Sequence, residues 1–445
     1  MLSFVLLLLG CRSKPDVILL TVDTLRYDHI SIFDPMSPAL TKHIDSLAQD
    51  SVRYTNAYSP ISVTGPAFTS VLTGQDIESH GVSMNVFRGG NKLEEGEITI
   101  TERFKEKEYA TGAFLSGFTL RPVLGLTQGF DRYDARLKEK NRRWGDQTAK
   151  LAVRWMKNAE DRIFLWYHSY DPHGPWHRWG NSCQNDAADK GGGDTPQDTL
   201  QRIPKYQQID DCSSPKEYQK RYAKAVQFAD KNIGKITKAL KKQDRYDSAM
   251  IVFTSDHGES FTERELWFDH GTTAHEEQLH VPLLIKYPYN RDAKKNDSRL
   301  VSLMDIAPTI AQEARLQELP RATGRSLLDK SYQGATYLLG ESSHCKEEGV
   351  LSCSPKGPQG KQYAYRTTME SLMLKGGIWE QYDRYQDRQE LIRLPITSDE
   401  QKKAEILFSQ KQEQAAQITW PPEARNQKDT EMKLLQSLGY MGEEK

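Results

Sequence analysis

Five short runs in the chain are apolar at nearly every position rather than at alternate ones. They are residues 16–22 (DVILLTV), 110–116 (ATGAFLS), 162–168 (RIFLWYH), 248–255 (SAMIVFTS) and 281–287 (VPLLIKY). A strand that buries one face alternates apolar and polar residues, whereas a continuous apolar run fits a strand covered on both faces of a mostly parallel sheet. Helical spacing fills the intervals. Over 216–245, Tyr222, Val226, Ala229, Ile233, Ile236 and Leu240 recur on one face while Lys and Arg occupy the other, which reads as a solvated face. Residues 38–50, 98–108, 146–159 and 306–316 are shorter helix candidates. This alternation predicts an α/β sandwich, a mostly parallel central sheet flanked by helices, with ligands at the carboxyl ends of the strands. From about residue 320 the pattern changes to short mixed segments, so a main domain at 15–318 is expected to be followed by a smaller C-terminal α+β subdomain at 319–445. No internal repeat is visible.

Length admits one large domain and an appendage, or two or three ordinary domains. The chain has 445 residues, with 60 Lys and Arg against 61 Asp and Glu, a formal net charge of −1. Nucleic-acid binding needs a basic surface to displace counterions, and none is present in the sequence. No stretch approaches the roughly 20 apolar residues of a membrane span. The apolar run Met1–Leu9 is too short for that, and Leu8-Leu9-Gly10-Cys11 resembles a bacterial lipobox, in which the Cys takes a lipid anchor. The expectation is an extracytoplasmic lipoprotein held to the membrane by its lipid alone; the alternative is a buried first strand with an incidental Cys. The four other cysteines suit two disulfides in an exported protein, with Cys183–Cys212 and Cys345–Cys353 the expected pairing of three connectivities; a zinc site is the alternative, disfavoured by the lack of a C-x-x-C spacing. The first pair brackets a polar insertion at 177–215, either a stapled lid over the site or a tolerated surface loop.

Chemistry gathers where the apolar runs end. Asp23 follows the first, His168, Asp171 and His173 end or follow the third, and Asp256 and His257 follow the fourth. An unpaired carboxylate at the end of a buried strand is costly unless a cation meets it. Asp23, Asp256 and His257 together offer two hard oxygens and an imidazole, a donor set for one divalent cation. Between them, Thr64 opens a segment with Pro66 in its first turn and Phe68, Val71 and Leu72 behind it. Thr64 is either a plain helix N-cap or a hydroxyl nucleophile, placed where backbone N–H groups favour an anion and a nearby metal would lower its pKa.

In this order the motifs resemble the sulfatase branch of the alkaline phosphatase superfamily. The similarity runs through VDTLRYDH, the segment NAYSPISVTGPAFTSVLTG, His80-Gly81-Val82, Gly129-Phe130-Asp131 and Asp171-Pro172-His173-Gly174-Pro175. It continues through YAKAVQFAD, SDHGE, His270-Gly271, Val281-Pro282-Leu283, MDIAPT at 304–309 and the LGY at 438–440. The resemblance implies an alkaline-phosphatase-like sandwich and a metal held by Asp23, Asp256 and His257, touched by Thr64. It further implies that His173 contacts the oxygens of the transferred group and that His270 lies near the ester. Calcium is most typical of the family, while an imidazole ligand tilts toward manganese or zinc. For His168 the choice is between a residue supporting the metal site and a satisfied core histidine, the latter preferred.

The departures from the family pattern bear on mechanism. Sulfatases carry Cys-x-Pro-x-Arg or Ser-x-Pro-x-Arg, the first residue being oxidised to formylglycine; Thr64-Gly65-Pro66-Ala67-Phe68 stands there instead. Threonine cannot become formylglycine, and the Arg is replaced by Phe68. Thr24 stands where a second Asp often follows the first, and residues 114–118 read FLSGF where Lys-Trp-His is expected. A Thr ester must be attacked at its central atom, a route better suited to phosphorus than to sulfur. The expected activity is hydrolysis or transfer of a sulfate or phosphate ester with Thr64 favouring phosphoester chemistry. The alternatives are a true sulfatase without formylglycine and an inactive surface binding protein. The expected partners are a sulfated or phosphorylated small molecule, a glycan or a lipid head group.

Overall fold

The first strand shows why the sheet is buried on both faces. In the computed structural model, which describes residues 14–85, 91–137, 141–180, 183, 196–343 and 361–416, β1 (Val17–Val22) is inaccessible along its whole length. Val17 and Leu19 enter one hydrophobic cluster, and Ile18, Leu20 and Val22 enter another on the opposite face. Each such side chain contributes roughly 1.5–3 kcal/mol of transfer free energy.

The other strands of this sheet are β2 (Val52–Tyr58), β3 (Ala110–Leu115), β4 (Arg132–Asp134), β5 (Ile163–Ser169), β6 (Met250–Thr254), β7 (Leu283–Lys286) and β8 (Asn296–Ser302). They lie in the order β4-β3-β5-β1-β6-β7-β2-β8. Every neighbouring pair is parallel except those made by β7, which runs against both β6 and β2. All five apolar runs became strands. The three strands without such a run, β2, β4 and β8, lie toward the sheet edges and are partly exposed.

Helices Lys42–Gln49, Gly145–Asn158 and Pro215–Lys242 cover one face of the sheet, supplying Ile44, Leu47, Ala152, Met156, Val226 and Ile233 to its cluster. Helices Thr64–Thr73, Ile100–Lys105 and Ile306–Ala314 cover the other, with Phe68, Leu72, Phe104 and Ile310. The result is the expected three-layer α/β sandwich.

A second, antiparallel sheet follows, made of β9 (Leu338–Glu341), β10 (Tyr363–Arg366), β11 (Glu370–Lys375) and β12 (Ile378–Asp383) in the order β12-β11-β10-β9. Helix Ser398–Ala416 places Ala404 and Leu407 against Tyr363, Leu374 and Trp379 of that sheet. No helix among the described residues is long and apolar enough to cross a membrane. The Met1–Leu9 run with Cys11, the pair Cys345–Cys353 and the LGY at 438–440 lie outside the described residues. The other expected bridge, Cys183–Cys212, is present with a Cα–Cα distance of 5.3 Å.

Candidate metal and ester site

Parallel register brings the acidic groups together. Thr21 of β1 pairs with Thr254 of β6, so Asp23 and Asp256, each two residues further on, leave the sheet side by side. Ser255 ties the two ends: its hydroxyl accepts from Leu25 N at 2.9 Å and lies 2.7 Å from the Val22 carbonyl and 2.6 Å from that of His257. On the other side of β1, Asp23 N donates to the Ser169 carbonyl at the end of β5 (2.9 Å).

Asp23, Asp256 and His257 converge, with one ligand atom from each lying within 4.8 Å of the others. All three are inaccessible. Asp23 Oδ1 and Asp256 Oδ2 have no hydrogen-bond partner among the described residues. His257 Nδ1 donates to the Gly258 carbonyl at 2.8 Å, which leaves the Nε2 lone pair available. Burial, reinforced by the Asp256 charge, pushes the Asp23 carboxyl well above its usual range. Two orphaned buried carboxylate oxygens and an imidazole lone pair are a fit for a divalent cation, which would relieve that burial cost.

Thr64 opens its helix without capping it. The N-cap position belongs to Val63, and the helix start carries no side-chain cap. The Thr64 hydroxyl lies 3.4 Å from Asp23 Oδ2 and 3.5 Å from His257 Nε2, so the plain N-cap alternative is set aside by geometry. Gly65 N is held by Asn85 Oδ1 at 2.8 Å. Phe68, at the position of the family's Arg, is fully buried against the Trp166 and His168 rings, at centroid distances of 5.1 and 5.0 Å. Thr24 has φ of 51° and donates its N–H to Asp256 Oδ1 at 3.2 Å; its buried hydroxyl has no partner among the described residues.

The histidines divide by role. His168 is the buried, satisfied residue that was preferred, with Nδ1 3.0 Å from the Thr21 hydroxyl. Its other nitrogen donates to Asp23 Oδ2 at 3.1 Å, so it also orients a candidate ligand. Burial lowers its pKa to about 4, which keeps the ring neutral. His173 donates Nδ1–H to the Gly174 carbonyl at 2.7 Å; burial first, then His270, holds it well below the usual range. The His270 ring lies 4.8 Å from that of His173 and 4.7 Å from that of His257. Asp171 does not join the metal cluster. It binds the Ser169 hydroxyl at 2.5 Å and Gly145 N at 3.0 Å, at the start of helix Gly145–Asn158.

Glu259 is the residue that sequence reasoning passed over, although it stands in the SDHGE motif. Its inaccessible carboxylate faces His270 Nδ1 at 3.2 and 3.3 Å, and burial pushes its pKa up to about 8. Its own carbonyl accepts from Arg26 Nη1 at 3.0 Å, and Arg26 is buried between Asp28 and Glu263. A Glu four residues past the end of an apolar run was the available signal. The insertion reaches the same neighbourhood, for the Gln207 side chain packs on Gly174, and Tyr206 donates to Asp269, beside His270, at 3.5 Å.

The chain is similar to known proteins. The chain is 22% identical over 365 residues to an uncharacterized sulfatase, YidJ, of Escherichia coli, covering 71% of each chain. It is 24% identical over 304 residues to an ulvan-active sulfatase of Formosa agariphila, covering 62% of this chain and 48% of the relative. Among solved structures, a protein in complex with its substrate D-glucosamine-2-N,6-O-disulfate superposes with a TM-score of 0.71 at 19% identity, covering 91% of this chain and 98% of the other. The phosphonate monoester hydrolase of Agrobacterium radiobacter superposes with a TM-score of 0.69 at 18% identity, covering 90% and 96%. Both likenesses concern the fold. The sequence model of the Sulfatase family matches residues 15–315, and with more than half of its length inside that match the chain belongs to the sulfatase family of ester hydrolases.

Proposed function

We propose that the protein is a metal-dependent hydrolase or transferase of a sulfate or phosphate ester that uses Thr64 as nucleophile and favours phosphoesters. The observation that carries this reading is the Thr64 hydroxyl, buried at the start of its helix and lying 3.4 Å from Asp23 and 3.5 Å from His257. Asp23, Asp256 and His257 would hold the cation, with Thr64 beside it. When bound, the cation supplies positive charge that favours the Thr64 alkoxide and neutralises the ester oxygens.

The remaining steps belong to the chain. Thr64 Oγ1 bonds to the central atom as the ester bond breaks, and His270, held by Glu259, gives a proton to the departing oxygen. Water or an acceptor alcohol then attacks the Thr64 ester at the same central atom, with His270 taking the proton back. His173 contacts the oxygens of the transferred group. The substrate is an oxyanion ester of a small molecule, glycan or lipid head group, a reading supported by the disulfated glucosamine and phosphonate ester named for structural neighbours. We further propose, from the Leu8-Leu9-Gly10-Cys11 motif, that the protein is a lipoprotein anchored outside the cytoplasm.

The test is an aryl sulfate, a phosphate monoester, a phosphate diester and a phosphonate monoester assayed side by side, with Thr64→Ala as control. The expected result is faster turnover of at least one phosphorus ester than of the sulfate, and a phosphoryl adduct on Thr64 trapped by mass spectrometry. Turnover by Thr64→Ala equal to the parent's would refute the nucleophile.

A further inference from the structure

Two buried polar side chains meet at Gly174, and neither is used by the reaction above. Arg142 is only 3% exposed. Its Nη2 donates to the Gly174 carbonyl at 2.6 Å, while Nη1 has no partner among the described residues. The guanidinium is centred 5.1 Å from the Trp144 ring and 5.2 Å from that of Tyr170, and Tyr170 stacks on His173 at 4.2 Å. Gln207, from the disulfide-bracketed insertion, is inaccessible, and neither its amide oxygen nor its amide nitrogen has a partner among the described residues. A Cβ on Gly174 would fall 1.6 Å from that amide oxygen, so glycine is what lets the amide close onto the backbone there.

Leaving buried polar groups unpaired is costly, more so for a charged group, and a bound anion is one explanation that accounts for both groups here. The location says which ligand. The Gly174 carbonyl that accepts from Arg142 also accepts from His173 Nδ1, so Arg142 stands on the Nδ1 side of that ring. The reacting ester needs the other nitrogen, Nε2. A guanidinium with a free N–H and an amide beside it complement the planar or tetrahedral array of an oxyanion.

We propose that Arg142 and Gln207 form a subsite for a second oxyanionic substituent of the substrate, a sulfate, phosphate or carboxylate borne beside the ester that is cleaved. The subsite rests on the reading of Thr64 and His173 as the ester site, because it is the second anionic position relative to that one. It places the positive charge at residue 142, paired by a backbone bridge to Gly117 within FLSGF. The Arg142 charge also helps to lower the His173 pKa, so an anion seated on Arg142 would make His173 easier to protonate.

The test is crystallographic. Crystals of the parent, Arg142→Met and Gln207→Leu are soaked in sodium selenate and anomalous peaks located. Expected are two peaks in the parent, one beside Thr64 and a separate one within hydrogen-bond distance of Arg142 Nη1. The second should vanish in Arg142→Met and fall to less than half its height in Gln207→Leu, which covers the case in which Arg142→Met does not fold. A peak at Thr64 alone overturns the subsite and leaves the ester site standing. One at Arg142 alone supports an anion site there and counts against the ester site. A single peak bridging Thr64 and Arg142 overturns the subsite as a second position, as does a peak at Arg142 that both variants keep.

Discussion

Single side chains here are set by what lies behind them. His168 donates to Asp23 Oδ2, the same oxygen that the Thr64 hydroxyl faces, so its removal should loosen the hold on that carboxylate. We predict that His168→Ala lowers affinity for a divalent cation about 10–100-fold, the usual cost of losing a residue that orients a ligand, measurable by competition with a chromogenic chelator. His173 supplies a proton-linked prediction. With Nδ1–H committed to the Gly174 carbonyl and burial holding the ring uncharged, Nε2 is an acceptor. It can donate to an anion's oxygen only after taking up a proton. Oxyanion binding should therefore draw a proton from solution and weaken as pH rises. Calorimetry of inorganic phosphate binding in buffers of different ionisation enthalpy should show that uptake in the parent and its loss in His173→Ala.

Elements were the most legible scale. Each apolar run became a strand because a strand covered on both faces has no polar positions to offer, and that composition is local information. The register Thr21↔Thr254 that joins Asp23 to Asp256 is a consequence of strand order, which chain order does not state, yet both residues stood at run ends where ligands collect. The strands toward the sheet edges were not readable because half-buried residues such as Arg53, Thr55 and Asn56 of β2 mimic loop composition. The Glu259–His270 pair was invisible for a different reason: it joins the SDHGE loop to a segment 11 residues on through a fold-back that no periodicity encodes. A short element supplies a test of pH dependence. His80 ends helix Ile77–His80, accepts from Val82 N at 3.0 Å on Nδ1 and donates to Ser70 Oγ at 2.9 Å from Nε2. Burial lowers its pKa to about 3, against about 6.5 unfolded. The unfolded chain therefore binds more protons between those values, and stability falls as pH falls through that window. From pH 6.5 to 4.5 this one group should cost about 2–3 kcal/mol. His80→Asn, which keeps an acceptor for Val82, should be less stable at pH 7 but lose less over the same interval, as read by urea unfolding.

At the scale of the whole molecule, the two sheets are joined through buried charge rather than through apolar surface alone. Glu390, inaccessible, accepts from Arg366 Nη2 at 3.0 Å, His275 Nδ1 at 3.1 Å and Glu276 N at 3.0 Å. Burial alone would raise its pKa, but Arg366 and His275 outweigh it and hold the carboxylate well below the usual range. Glu276 in turn faces Arg384, Arg388 and His280. The same short segment frames the site: the Gln278 carbonyl accepts from Gly258 N at 2.8 Å, and the Gln278 amide binds Ser260 Oγ, the Asp269 carbonyl and Gly271 N. Docking of the C-terminal sheet and placement of His257 and His270 are thus coupled through residues 276–278. Removing one partner of a buried ion pair strands the other, at about 3–5 kcal/mol, whereas replacing both with apolar groups is often nearly neutral. Glu390→Gln should therefore destabilise the protein by that amount, with hydrogen exchange accelerating in β9–β12 before β1 and β5. It should also lower turnover, although Glu390 touches no substrate. The double variant Glu390→Leu with Arg366→Met should recover most of the stability, and turnover should follow if the coupling runs through docking. Recovery of stability without turnover would instead mean that the charges of Glu390 and Arg366 themselves hold residues 276–278 in place.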